Sequence, residues 1–82
     1  MKRDTILGYD PSENKVFVFL FGEDALKELT IMADYLDDVQ LKKAQQALVM
    51  YAFIWKTGAS VEDLKAIVND SHAIYNITFE VT

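Results

Sequence analysis

The most apolar stretch of the chain is Val16-Phe17-Val18-Phe19-Leu20-Phe21, β-branched or aromatic except for Leu20. An unalternating run of this kind predicts a central strand covered on both faces. It follows Asp10-Pro11-Ser12-Glu13-Asn14, where Pro11 fixes φ and Asp10, Ser12 and Asn14 can bond local backbone. With a short strand from Thr5 to Tyr9 ahead of this turn and Gly22 behind the run, residues 5–21 read as a β-hairpin.

From Glu23 to Thr57 there is no glycine or proline, and the apolar spacing becomes helical. Ala25, Leu26, Leu29, Met32, Ala33 and Leu36 share one face at 100° per residue. Leu41, Ala44, Leu48, Tyr51, Ala52 and Trp55 share a second face, rotated by roughly a quarter turn from the first. A single helix over this span would be about 50 Å long, too long for so small a domain. A break at Asp37-Asp38 returns both faces to one core, and Asp37 followed by Gln40 is a capping-box variant. The pattern therefore predicts two helices, at about 23–36 and 38–57. Gly58 ends the second, Ser60 caps a third with Asp63 at N3, and Val61, Leu64, Ile67 and Val68 form its buried stripe over 60–69. After a polar exit from Asn69 to His72, Tyr75, Ile77, Phe79 and Val81 alternate with Asn76, Thr78, Glu80 and Thr82, a half-buried strand over 73–82.

The expected fold is α+β, in the order β-β-α-α-α-β. It has a three-stranded, mainly antiparallel sheet with three helices packed on one face, all within a single domain over 1–82. Spacing leaves open which set of the 16–21 run meets the helices, Phe17, Phe19 and Phe21 or Val16, Val18 and Leu20.

Several apolar residues do not fit these stripes. Ile31 and Tyr35 lie opposite the core face of the first predicted helix, and Val49, Met50, Phe53 and Ile54 lie off the main stripe of the second. A helix apolar all round must be buried all round. Either the second helix is central to the fold or part of it meets another chain. Ile31, Tyr35, Met50, Phe53 and Ile54 are accordingly the candidate interface, with a homodimer or another protein partner expected.

Composition narrows the function classes. The chain has 82 residues, 51% of them hydrophobic and 26% charged, which supports one small folded core and argues against disorder. It has no cysteine, which removes disulfides, thiolate metal sites and a cysteine nucleophile. The longest wholly apolar run, Ala47 to Trp55, is far short of the roughly 20 residues a membrane span needs. Met1, Lys2 and Arg3 are followed at once by Asp4, so no secretory signal and no membrane partner are expected, and the expected compartment is the cytoplasm.

Thirteen acidic residues against eight basic give a net charge of −5, and Arg3 is the single arginine. That field opposes phosphate, so direct nucleic-acid binding is not expected. Acidic residues cluster at Glu23, Asp24, Glu28, Asp34, Asp37 and Asp38, ahead of a basic segment with Lys42, Lys43 and Lys56. Glu28, Asp34, Asp37 and Asp38 form the candidate acidic surface. They motivate an alternative function, an acidic nucleic-acid mimic that inhibits a DNA- or RNA-binding protein, of the kind a phage or mobile element would encode.

Sites for chemistry are not evident. Asp70-Ser71-His72 has the letters of a hydrolase triad, but adjacent residues cannot converge as a triad must. His72 is the only histidine, and three carboxylates at Asp34, Asp37 and Asp38 fall short of the six or more oxygens a hard cation takes. Asn76-Ile77-Thr78 matches a glycosylation sequon inside a predicted strand, and Gly8, Gly22 and Gly58 are isolated, so no phosphate loop exists. No catalytic, cofactor or metal site is expected. The expected function is a small non-enzymatic interaction module that self-associates through an apolar helix and sheet surface.

Overall fold

A computed structural model describes residues 3–23 and 26–82. It is an α+β fold: β1 (Thr5–Asp10), β2 (Lys15–Leu20), β3 (Leu29–Ala33), α1 (Asp38–Lys56), α2 (Val61–Tyr75) and β4 (Glu80–Val81). The sheet is a four-stranded antiparallel meander in the order β1-β2-β3-β4.

The hairpin forms as its sequence directs. Asp10 accepts hydrogen bonds from the Ser12 backbone and hydroxyl at 3.0 and 2.7 Å, and Asn14 takes a left-handed conformation that returns the chain into β2. In β2, Val16, Val18 and Leu20 are buried toward the helices, while Phe17 and Phe19 lie half-buried on the opposite face.

The expected helix at 23–36 is not formed; β3 occupies its second half. The positions that mimicked a helical stripe, Leu29, Met32 and Ala33, are read differently by a strand: Leu29, Ile31 and Ala33 alternate onto the core face. Thr30 and Ile31 are β-branched and favour this extended state. Part of that expected helix, Asp24 and Ala25, lies outside the described residues. The sheet therefore has four strands rather than three, and the helices number two rather than three among the described residues.

α1 matches its sequence signals. The Asp37 carboxylate accepts from the Gln40 backbone amide at 2.8 Å and the Gln40 side-chain oxygen accepts from the Asp37 amide, a complete capping box. α2 starts at its Ser60 cap but runs on to Tyr75, beyond the expected end at 69. The polar letters at 69–72 do not stop it, because Ser71 is small, sits in the buried stripe after Leu64 and Val68, and bonds back to the Ile67 carbonyl at 2.8 Å. Asn76 ends α2 in the left-handed conformation. The expected strand at 73–82 is thus reduced to β4, although Ile77 and Phe79 are buried and their neighbours exposed, as the alternation required.

One core joins both layers. Val18, Leu20, Leu29 and Ile31 of the sheet pack with Leu48, Tyr51 and Trp55 of α1 and Leu64 and Val68 of α2. The Trp55 indole donates to the Phe21 carbonyl at 3.0 Å, and the Arg3 guanidinium stacks 4.0 Å over its ring. Arg3 also donates to the carbonyls of Trp55 and Ala59, satisfying groups at the C-terminal end of α1.

Candidate interaction surface

β1 is an edge strand, and its two faces are set by its register with β2. The Phe21 amide donates to the Asp4 carbonyl at 2.9 Å, so Asp4 and Phe21 form a hydrogen-bonded pair. Hydrogen-bonded and non-bonded pairs alternate along an antiparallel ladder. Ile6, Gly8 and Asp10 thus also turn their backbone groups toward β2, and Thr5, Leu7 and Tyr9 turn theirs outward. No strand among the described residues takes up these outward groups.

Apolar side chains flank this edge on both faces. On the helix side, Leu7 and Tyr9 are about half exposed and line a groove of about 290 Å³ with Val16 of β2 and Gln45, Leu48 and Val49 of α1. Val49 is exposed, and Phe53, one helical turn beyond it, is 68% exposed. Lys42, Gln46 and Lys56 continue that flank of α1. On the open face, Ile6 is exposed beside Phe17 and Phe19, whose ring centroids are 5.1 Å apart. The Phe17 ring lies on Gly8: a Cβ there would fall 2.2 Å from its Cζ. Lys27 reaches over the Phe19 ring at 5.5 Å. Thr30, flanked in the ladder by Phe19 and Thr82, is buried, and its hydroxyl makes no hydrogen bond among the described residues.

The candidate interface residues separate. Ile31 leaves the surface: it is 0% exposed, at the centre of β3. Ile54 is half-buried and packs on the core. Tyr35 is 85% exposed but stands in the turn between β3 and α1, at φ 59°, away from the β1 groove. Met50 and Phe53 are exposed on α1, and with Val49 they give its C-terminal half the apolar flank. The sequence reading did not single out Ile6, Leu7 and Tyr9. Their signal was Ile6-Leu7, which gives a short strand an apolar residue on each face.

The acidic residues have local structure. Asp37 is the α1 cap and Asp38 lies in its first turn, where the helix dipole favours negative charge. Asp34 is half-buried, Glu28 is exposed at the other end of β3, and Asp24 lies outside the described residues. No cluster of three or more His, Cys, Asp or Glu capable of holding a metal ion is present among the described residues. No helix among them is long and apolar enough to cross a membrane.

His72 faces the other edge of the sheet. Thr30 and Thr82 exchange both backbone hydrogen bonds, so the backbone of Phe79, like that of Val81, points away from β3. The His72 Nε2 atom sits 3.1 Å from the Phe79 amide and 3.0 Å from its carbonyl oxygen, with the imidazole stacked on the Phe79 ring. A neutral Nε2 accepts from the amide, and a protonated one donates to the carbonyl. Asp70, Ser71 and His72 follow one another along α2, with Ser71 turned inward and His72 committed to Phe79.

Beneath Phe79, Tyr51 meets its ring edge-on at 5.6 Å. The Tyr51 hydroxyl is buried and makes no hydrogen bond among the described residues, while the neighbouring Ser71 hydroxyl donates its proton to the Ile67 carbonyl. Burial pushes this phenol above its ordinary pKa of 10.0.

Comparison with protein-family models, curated proteins and solved structures finds no match.

Proposed function

We propose that this chain is a small non-enzymatic interaction module that associates with copies of itself through an apolar surface shared by helix and sheet. The observation that carries this reading is the exposed flank of α1: Val49 lines a groove with Leu7 and Tyr9, and Met50 and Phe53 on the same half of the helix are exposed instead of entering the core. Apolar side chains gathered in this way mark interaction surfaces. Closed twofold pairing is the commonest form such self-association takes.

Light scattering behind a sizing column, over a wide concentration range, tests the reading. The expected result is a mass that rises toward twice 9.4 kDa with concentration. Phe53→Glu should hold the chain at monomer mass while leaving its circular dichroism unchanged, because Phe53 lies outside the core. A chain that stays monomeric at millimolar concentration would overturn the reading.

A further inference from the structure

The two edges of the sheet are treated differently, and the difference specifies what the open one accepts. Folded proteins cover or blunt sheet edges, because unpaired amides and carbonyls recruit other strands. Here β4 is two residues long and the adjoining Phe79 has its amide or its carbonyl engaged by the His72 imidazole, which stacks on its ring. β1 is six residues long, has apolar side chains on both faces, and turns the backbone groups of Thr5, Leu7 and Tyr9 outward. Such groups are complementary to another strand. We propose that β1 pairs antiparallel with β1 of a second copy about a twofold axis through Leu7, fusing two four-stranded sheets into one of eight strands. This rests on the self-association reading and assigns its geometry.

The register follows from the sequence of β1. With Leu7 on the axis, Thr5 faces Tyr9 of the second copy and every outward residue meets an outward residue, so all of their amides and carbonyls are paired. Any other twofold register that pairs outward residues leaves some of them unmatched. Side chains agree with this choice. Ile6 falls opposite Gly8 of the second copy, so a bulky residue meets a position without a side chain and rests on the Phe17 ring that covers it. An axis perpendicular to the sheet also keeps both helix layers on one side. α1 runs antiparallel to β1, with Arg3 at Trp55 and Tyr9 at Gln45, so Val49 and Phe53 of the two copies approach each other above the seam.

The size of the seam sets its strength. Six residues give an edge of about 20 Å. Two layers deep, that covers on the order of 500 Å² per copy, at the low end for specific interfaces. The dimer is therefore expected to dissociate reversibly. One pairing opposes it: Asp4 faces Asp10 of the second copy at each end of the seam, and like charges directly opposite repel.

Sedimentation velocity on the full chain and three variants tests the geometry. Leu7→Pro removes an outward amide that the fold itself does not use, a position where an edge strand tolerates proline; it should weaken the dimer by about tenfold or more. Asp4→Asn relieves the repulsion and should tighten it by about threefold. The natural chain has no cysteine, so Leu7→Cys provides a single thiol on the axis, where paired Cα atoms lie about 5.5 Å apart. It should cross-link to dimer under mild oxidation, whereas Ile74→Cys on exposed α2 should not. If the dimer survives Leu7→Pro, or Leu7→Cys cross-links no faster than Ile74→Cys, or Asp4→Asn weakens association, the β1 seam is wrong while self-association stands. A natural chain that is monomeric throughout overturns both, and leaves the edge to a strand from a different protein.

Discussion

The two edge strands of this sheet are finished in opposite ways. β4 is short, and its approach segment is anchored through Phe79, which is held by the Tyr51 ring edge, the Tyr75 ring at 6.4 Å and the stacked imidazole of His72. β1 is three times as long and is fixed mainly from one side, by its ladder to β2 and by the Arg3 contacts at its start. The lesson is that an edge is closed by what occupies its peptide groups, and that length with apolar flanks keeps it available.

Removing the closure at β4 should produce the largest effect. Phe79→Ala takes a buried ring from three aromatic neighbours and should cost about 3–4 kcal/mol. Denaturant unfolding reads that loss, and faster amide exchange at Thr30 and Thr82 would locate it in the β3–β4 ladder. A loss under about 1 kcal/mol would mean that β4 is held by its backbone alone.

At the open edge the corresponding change is smaller. Gly8→Ala places a methyl group where the Phe17 ring now lies, and the half-exposed ring can swing aside. A cost of about 1–2 kcal/mol is expected from lost packing and an unfavourable rotamer. An unchanged stability with unshifted Phe17 ring resonances would show that the ring does not rest on Gly8 in solution.

Tyr51→Phe changes the support under β4 in the opposite direction. It removes a buried hydroxyl that makes no hydrogen bond among the described residues, and should stabilise the fold by up to about 1 kcal/mol. The pH dependence identifies the cause. Burial raises the folded pKa above the unfolded value, so stability is full below pH 10.0 and falls as pH rises beyond it, where the unfolded chain ionises and the folded one does not. Tyr51→Phe should flatten that alkaline limb. If the limb is unaltered, other groups cause it.

The smallest effect belongs to the turn that delivers β1 into β2. The Ser12 hydroxyl and amide hold the Asp10 carboxyl below its ordinary 3.8. Because the folded value is the lower one, this contribution is present above that range and is lost as pH falls through it. Ser12→Ala should move Asp10 upward in a side-chain NMR titration; no movement would mean the turn bond is absent.

The strands and helices were legible where local signals agreed. Pro11 and Asn14 marked the hairpin, and Asp37 with Gln40 marked the start of α1 to the residue. β3 was misread because Leu29, Met32 and Ala33 satisfy helical spacing and are at ease in helices, while one of its two partner strands, β4, lies at the far end of the chain. The misfit was itself informative. Ile31 looked surplus on a helix because it belongs on the inner face of a strand, where it is completely buried. Exposed residues such as Phe53 and Met50 were identifiable from α1 periodicity alone. Leu7 and Tyr9 were not, because their exposure depends on how far α1 reaches across the sheet.

The joint between Arg3, Trp55 and Phe21 has a practical consequence. Trp55 is the only tryptophan of the chain, its indole nitrogen is tied to the sheet, and a guanidinium covers its ring. Fluorescence excited at the red edge of aromatic absorption therefore comes from the one place where the N-terminal strand, the long helix and the β2 exit meet. Its emission will shift when that joint opens to water and stay constant while two intact copies join or part along β1, giving a label-free optical separation of unfolding from assembly.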